Sequence, residues 1–360
     1  MANIGVSQER ILVINPGATS TKFAVYDGET IVFKKTVEHF AADTNRFTRL
    51  IEQYEYRLQM ILEQLAAEHI ELSTLQAIVA RGGILKPLRG GTYVITQQMV
   101  DDLKEAKYGE HASNLGAVMA YDLAGKLQIP SYIVDPVSVD EMEPVARISG
   151  LPDLPRNSML HALNTKAVAR KVARKLGRIY EDMNLIVAHL GTGISVTPHQ
   201  KGRMIDVNNA KEEGPMSPDR CGSLPVGQLI RLAFSGKYTF EEWKEILNFK
   251  GGMYAYLGTA DIREAFHMAD HGNSQAKLVL EAIPYQVAKE IGAMAAVLSG
   301  NVEYIILTGG IAHSDRIVEA ITQRVRFIAP VIVVPGEEEL EALAFGALRV
   351  LKRQETVRHY

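Results

Sequence analysis

The sequence predicts an α/β protein built from two related halves, each opening on an antiparallel meander within a mixed sheet. Three observations predict it. Residues 11–38 read strand, turn, strand, turn, strand. The pattern returns 174 residues later: Gly191 falls on Gly17, Gly202 on Gly28, and Leu185, Ile186 and Val187 on Ile11, Leu12 and Val13. Strand–helix units then follow each copy.

The elements justify themselves in order. Ile11 to Asn15 is an apolar run, broken by Pro16-Gly17-Ala18-Thr19-Ser20. Lys22 to Asp27 alternates apolar and polar, Gly28 turns, and Ile31 to Glu38 forms a third strand. Arg46 to His69 carries an apolar stripe at Phe47, Leu50, Ile51, Tyr54, Leu58, Ile61, Leu62 and Leu65, which predicts a helix. Met159 to Leu176, Phe240 to Leu247 and Ala276 to Leu298 read as helices too. Ser131 to Val134 is a strand. In the second copy Leu185 to His189, Ile194 to Thr197 and Met204 to Val207 are strands. Tyr304 to Leu307 is a strand followed by a helix from about Ser314. Val331 to Val334 is a strand followed by a helix led by Glu337-Glu338-Glu339.

Composition excludes several classes. The 360 residues are 47% hydrophobic and 22% charged, the make-up of a globular chain. Lys and Arg number 39 against 42 Asp and Glu, a net charge of −3, which lacks the basic footprint of a nucleic-acid binder. One cysteine, Cys221, allows no internal disulfide and suits a reducing compartment. There is no apolar run of membrane-spanning length and no signal-like stretch in the first ten residues. The expectation is a cytoplasmic protein without membrane or nucleic-acid partners.

Chemistry concentrates in a few turns. Asn15 to Lys22 offers backbone N–H groups, hydroxyls at Thr19, Ser20 and Thr21, and the Lys22 cation, the groups that cradle phosphate; a polar hairpin turn has the same look. His189-Leu190-Gly191-Thr192-Gly193 is its counterpart, but Val196 breaks any G-x-G-x-x-G and a strand follows, which excludes a Rossmann site. Thr308-Gly309-Gly310-Ile311 joins strand to helix, where glycines allow a ligand near and a helix start favours anions. No P-loop motif occurs. Arg81-Gly82-Gly83 and Arg220-Cys221-Gly222 set arginines, the best forks for carboxylate or phosphate, beside glycines. Asp135 ends a strand, a position shared by ligand carboxylates and turn residues. His111 and His161 lie near helix starts, and a lone histidine is more often structural than catalytic. Glu337 to Glu339 suit a helix N-terminus for electrostatic reasons alone.

Taken together, the motifs resemble the acetate kinase family of acyl kinases, within the sugar kinase/Hsp70/actin superfamily. The resemblance runs in order along nearly the whole chain. It covers Val13 to Gly17, Thr19 to Lys22, Arg81 to Gly83, His189 to Ser195, Asp206 to Ala210 and Glu213 to Pro215. It continues through Ser217 to Arg220, Ala255 to Thr259, Thr308 to Ile311 and Glu338 to Leu340. Arg81 directly before the glycines, where acetate kinases carry a histidine, is similar to the butyrate branch.

The resemblance implies duplicated ribonuclease H-like domains with mixed sheets, an actin-like ATPase fold, and nucleotide in the interdomain cleft. It implies an N-terminal acyl kinase domain of residues 1–138 plus 340–360 and a C-terminal nucleotide-binding domain of 139–339. The implied reaction is butyrate + ATP = butyryl phosphate + ADP with Mg²⁺, in a homodimer or larger assembly. Asn15 would lie near the metal, with Glu338 as its carboxylate, in a run of three glutamates that leaves the register open by one. Thr19, Ser20 and Lys22 would belong to the phosphate loop. Asp135, His161, Arg220, Arg81 and His111 would be catalytic. His189, Gly191, Thr192, Gly193, Gly309, Gly310 and Ile311 would bind nucleotide.

A carboxylate acceptor is already an anion, so in-line transfer needs positioning and charge stabilisation more than a strong base. Arg220, His161 and Lys22 suit that task, and Arg81 suits the acyl carboxylate. Ala80 and Leu160, beside two of these residues, are the expected source of acyl-chain selectivity. Ala18, Thr192 and Cys221 depart from the family pattern, and Cys221 invites inhibition by thiol reagents with ATP protecting. Branched-chain, propionate and acetate kinases remain alternatives. A sugar kinase of the superfamily would use Asp135 as base. A non-enzymatic ATP switch would show slow hydrolysis and no small-molecule acceptor.

Overall fold

The computed structural model describes residues 9–360, so most of the N-terminal stretch read for a leader lies outside the described residues. The chain divides into two compact units, one running up to Val139 and taking in Glu338–Tyr360, the other Asp140–Glu337. Among the described residues no helix is long and apolar enough to cross a membrane.

The first unit holds a sheet of β1 (Arg10–Pro16), β2 (Ser20–Asp27), β3 (Thr30–Glu38), β4 (Ala77–Arg81), β5 (Thr92–Val94) and β6 (Ser131–Val134). Their spatial order is β3-β2-β1-β4-β6-β5. β1 to β3 form the antiparallel meander, while β4 and β6 add in parallel. Leu12, Ile14, Phe23, Val25, Ile78 and Ala80 bury one face with Leu58, Ile61, Leu65, Leu115 and Met119 of the helices Tyr54–Ala67 and Asn114–Leu127. Alternation sends Ile11 and Val13 to the opposite face, where the last helix, Glu339–Leu351, packs on β1, β4 and β6.

The second unit holds β7 (Asn184–Leu190), β8 (Ile194–Gln200), β9 (Arg203–Met204), β10 (Tyr304–Gly309) and β11 (Val331–Pro335). Read from its meander edge, the order is β9-β8-β7-β10-β11. That repeats β3-β2-β1-β4-β6 strand for strand, with the same antiparallel and parallel joins. Helix Ser274–Val297 covers one face and helix Ala162–Lys175 the other. The duplicated mixed α/β architecture is thus what the chain folds into.

Three expectations need correction. Gly17 and Gly191 are structural equivalents, but Gly28 and Gly202 are not. Gly17 to Ser20 lie between the paired Pro16 and Thr21, whereas only Gly191 to Gly193 lie between Leu190 and Ile194. The register therefore slips by one, and Gly28 (φ 58°) corresponds to Lys201 (φ 47°). The helix expected over 46–69 starts later, at a 3₁₀ turn Leu50–Gln53 that runs into Tyr54–Ala67. The Glu52 carboxylate accepts the N–H groups of Thr48 and Arg49 and so sets that start. The third strand of the second meander stops at Met204, because Arg156 binds Asp206 and the Val207 carbonyl beyond it.

Candidate active site

In the first unit the residues gather at the C-terminal edge of the parallel strands. β1 and β4 are neighbours in register, Ile14 beside Ala80, so Asn15 and Arg81 leave the sheet side by side. The last helix delivers Glu339 to both. Asn15 Nδ2 donates to Glu339 Oε2 at 2.7 Å, and Arg81 Nη1 pairs with Oε1. Lys22, exposed on β2, sits directly across from Asn15 in the antiparallel ladder, which places both side chains on one face. Asn15, Lys22, Arg81 and Glu339 thus form one group.

The carboxylate that accepts from Asn15 is Glu339. Glu338 occupies the N-cap position, with no side-chain cap hydrogen bond, and is exposed. The run of three glutamates leaves the register open in the sequence, and in the structure Glu339 is the one that meets Asn15 and Arg81.

Asp135 lies one residue past β6, buried, with φ at 38°. Its Oδ1 accepts the Gly91 N–H at 2.7 Å, and its own N–H donates to the Gly91 carbonyl at 3.1 Å. Such a left-handed backbone in a non-glycine residue persists only when surroundings hold it. Thr19 is exposed and Ser20 half-buried in the turn between β1 and β2. His111 is exposed ahead of helix Asn114–Leu127; its Nδ1 accepts the Ser113 N–H at 3.2 Å and lies 2.7 Å from Ser113 Oγ.

Two features of this unit concern packing. A Cβ at Gly82 would stand 2.6 Å from Pro136 Cβ, and one at Gly83 would collide with Asn114. They are packing glycines. Ala80 was expected to leave room for an acyl chain, but it is fully buried against the helix Asn114–Leu127. Chain-length selectivity cannot come from it.

In the second unit His161 and His189 stack, with ring centroids 3.8 Å apart and planes 13° from parallel. His189 Nδ1 lies 2.8 Å from the Asn164 amide nitrogen, which can only donate, so Nε2 carries the proton toward Glu337 Oε1 at 3.0 Å. His161 Nδ1 lies 3.0 Å from Ser195 Oγ. The strands explain the meeting: His189 pairs across the ladder with Ser195 on β8 and Thr308 on β10. Asn164 also reaches Thr308 Oγ1 at 3.3 Å.

Arg220 closes the turn. Its guanidinium lies on Gly193, where any Cβ would collide with it. Its Nη1 donates to the Ala210 carbonyl at 3.3 Å, and its N–H to Ser217 Oγ at 3.1 Å. Ser217 Oγ in turn donates to the Thr192 carbonyl. Burial pulls the Arg220 pKa down and pushes that of neighbouring Asp219 up.

Gly309 (φ 90°) is needed because its backbone crosses Leu190 closely, which is a packing role. A Cβ on Gly310 would meet nothing, so that backbone is open. Ile311 was expected among nucleotide-binding residues, and it is buried in the hydrophobic core. Cys221 is half-buried with its thiol toward the Ile246 carbonyl, and burial raises its pKa, so it is not an activated thiol.

The sequence reading missed Asn164, Ser195 and Ser217. Ser195 and Ser217 stood inside quoted motifs; their hydroxyls carried no signal apart from their partners. Glu337 and Glu339 each stood one place from the chosen Glu338, in a run whose register the sequence left open.

Residues 156–339 match the model of the acetokinase family. Butyrate kinase 1 of Clostridium acetobutylicum is 50% identical over 352 residues, 98% of this chain and 99% of that protein. The crystal structure of Porphyromonas gingivalis acetate kinase superposes with a TM-score of 0.79 at 20% identity, covering 95% of this chain and 100% of that one. A propionate kinase from Francisella tularensis subsp. tularensis SCHU S4 superposes at 0.71 with 19% identity, covering 93% and 98%. The duplicated sheets are those of an actin-like fold. This chain belongs to the acetokinase family and is a short-chain fatty acid kinase, a phosphotransferase with a carboxyl group as acceptor.

Proposed function

We propose that the chain catalyses butyrate + ATP = butyryl phosphate + ADP by direct in-line transfer. The observation that carries this is half-identity to a butyrate kinase along both chains. The geometry supports it: each cluster contains cations or hydrogen-bond donors, Arg81 and Lys22 in one and Arg220 with the stacked histidines in the other, the equipment for holding anions.

In the first unit Arg81 takes the acyl carboxylate, a role suited to the guanidinium that already meets a carboxylate, Glu339. The turn of Thr19 and Ser20, with Lys22, takes the transferring phosphoryl group. Asp135, locked to Gly91, fixes the sheet edge beside them. In the second unit Arg220 and His161 neutralise charge on equatorial phosphoryl oxygens. His189, Gly191 to Gly193, Gly309 and Gly310 serve the nucleotide, and Ile311 supports them from the core. His111 is kept as a further active-site group.

Magnesium fits the residues present. It prefers oxygen ligands, keeps several waters and is usually held by one or two carboxylates with substrate phosphates. The Glu339 carboxylate and the Asn15 amide supply such donors at the phosphate turn. When bound, the ion would neutralise phosphate charge.

One methylene is worth only about 1–3 kcal/mol of discrimination, so isobutyrate, propionate and valerate should overlap with butyrate. We place the activity in the cytoplasm, in a homodimer or larger assembly. The test is ATP formation from ADP and butyryl phosphate. Magnesium-dependent ATP release supports the proposal, and none from folded, ADP-binding protein rejects it.

A further inference from the structure

We infer that Arg57 is a positioning residue for the phosphate turn: held beneath it, the guanidinium fixes two turn carbonyls inward and so aims the following N–H groups outward at a phosphoryl group. The inference rests on the reading that this turn takes phosphate.

Arg57 lies on helix Tyr54–Ala67 and is 1% exposed. Its Nη1 donates to the Gly17 carbonyl at 2.7 Å and its Nη2 to the Ala18 carbonyl at 3.0 Å. Two more donors grip Gln53 Oε1, from Nη2 at 2.7 Å and Nε at 3.1 Å. The next carbonyl, of Thr19, is taken by the His39 N–H at 2.7 Å.

In a planar trans peptide, C=O and N–H point in opposite directions. Tying the Gly17 and Ala18 carbonyls to one guanidinium therefore turns the N–H groups of Ala18 and Thr19 away from it. Ala18 and Thr19 are exposed, so those donors face solvent. Successive N–H groups aimed together make an anion-binding concavity. The second unit uses the same device, with Ser217 Oγ holding the Thr192 carbonyl.

The charge itself adds to the argument. All four Arg57 hydrogen bonds end on neutral oxygens. Burial lowers its pKa only to about 10, so it stays cationic at neutral pH. A buried charge is costly, and one without a carboxylate partner among those bonds leaves its field for an anion above the turn.

The test compares Arg57→Met and Arg57→Lys with the unchanged chain, by turnover and by calorimetric binding of ATP and AMP. Arg57→Met should lose about 10- to 100-fold in kcat, the scale of a misplaced reacting group. ATP affinity should fall while AMP affinity stays within about twofold, and Arg57→Lys, which restores charge but not the fork, should lie between. Equal loss for AMP and ATP, or unchanged turnover, would overturn the inference. If Arg57→Met does not fold, Gln53→Ala should give the same ATP-selective loss at smaller size, and an unchanged ratio there would overturn it too. A parent chain that binds ATP but phosphorylates no acid would count against the activity; the ATP–AMP split would still decide this inference.

Discussion

The guanidinium of Arg220 lies on the backbone of Gly193, in the space a side chain there would fill. The second turn and the arginine are therefore one unit. Gly193→Ala must push the guanidinium aside. Turnover should fall about 100-fold, approaching the 10²–10³ loss expected for Arg220→Ala. The double variant should be no slower than Arg220→Ala alone, because the two act through one group. Steady-state kcat of all three checks this, and additive losses would separate the residues.

Glu339 and Glu338 should part company. Glu339→Gln removes the charge that meets Arg81 and Asn15, and should lower kcat/KM about tenfold or more while raising the Mg²⁺ needed for half-maximal rate. Glu338→Gln should change neither by more than about twofold. A magnesium titration of each variant decides, and the reverse pattern would return the role to Glu338.

Acid should weaken the fold through two buried histidines. Burial, with Arg57 nearby, lowers His39 to about 4, and burial with Lys166 and Arg170 nearby holds His199 well below its ordinary value. Unfolded, both titrate near 6.5, so below that pH the unfolded chain binds more protons than the folded one. The stability they permit is full above about pH 6.5 and declines as pH falls toward 4. Urea midpoints at pH 7.5, 6 and 5 should fall in that order. His199→Phe, if folded, should flatten the slope.

Cys221 should react slowly. With its thiol pushed up by burial, alkylation at pH 7.5 should lag a free cysteine and accelerate through the alkaline range. Timed mass spectrometry measures this. Rapid modification at neutral pH would mean that the 221 loop opens.

Much of the fold was legible because strands and turns are local. Ser131–Val134 begins and ends where the sequence reading places it. The repeat was legible as well, except that a turn shortened by one residue made Gly28 and Gly202 match in sequence and not in space. Candidates stood out where a residue type carries its own chemistry, as with Arg81, Arg220 and His161, whose roles here are proposals. It was illegible where meaning depends on a distant partner. Glu339 lies 258 residues from Arg81 in sequence, and only the return of the last helix joins them. Arg57 carried no signal, since nothing local shows it reaching the turn. Ala80 misled for the same reason: adjacency to Arg81 in sequence is opposition across a strand.

The central claim is that the acceptor is a short carboxylic acid. Acyl hydroxamate formation with Mg-ATP, across straight and branched acids of two to six carbons, tests it most directly. The account predicts product that peaks at four or five carbons and overlaps its neighbours. No hydroxamate with any acid, from folded protein that binds ATP, would contradict it and turn attention to alcohols and protein partners.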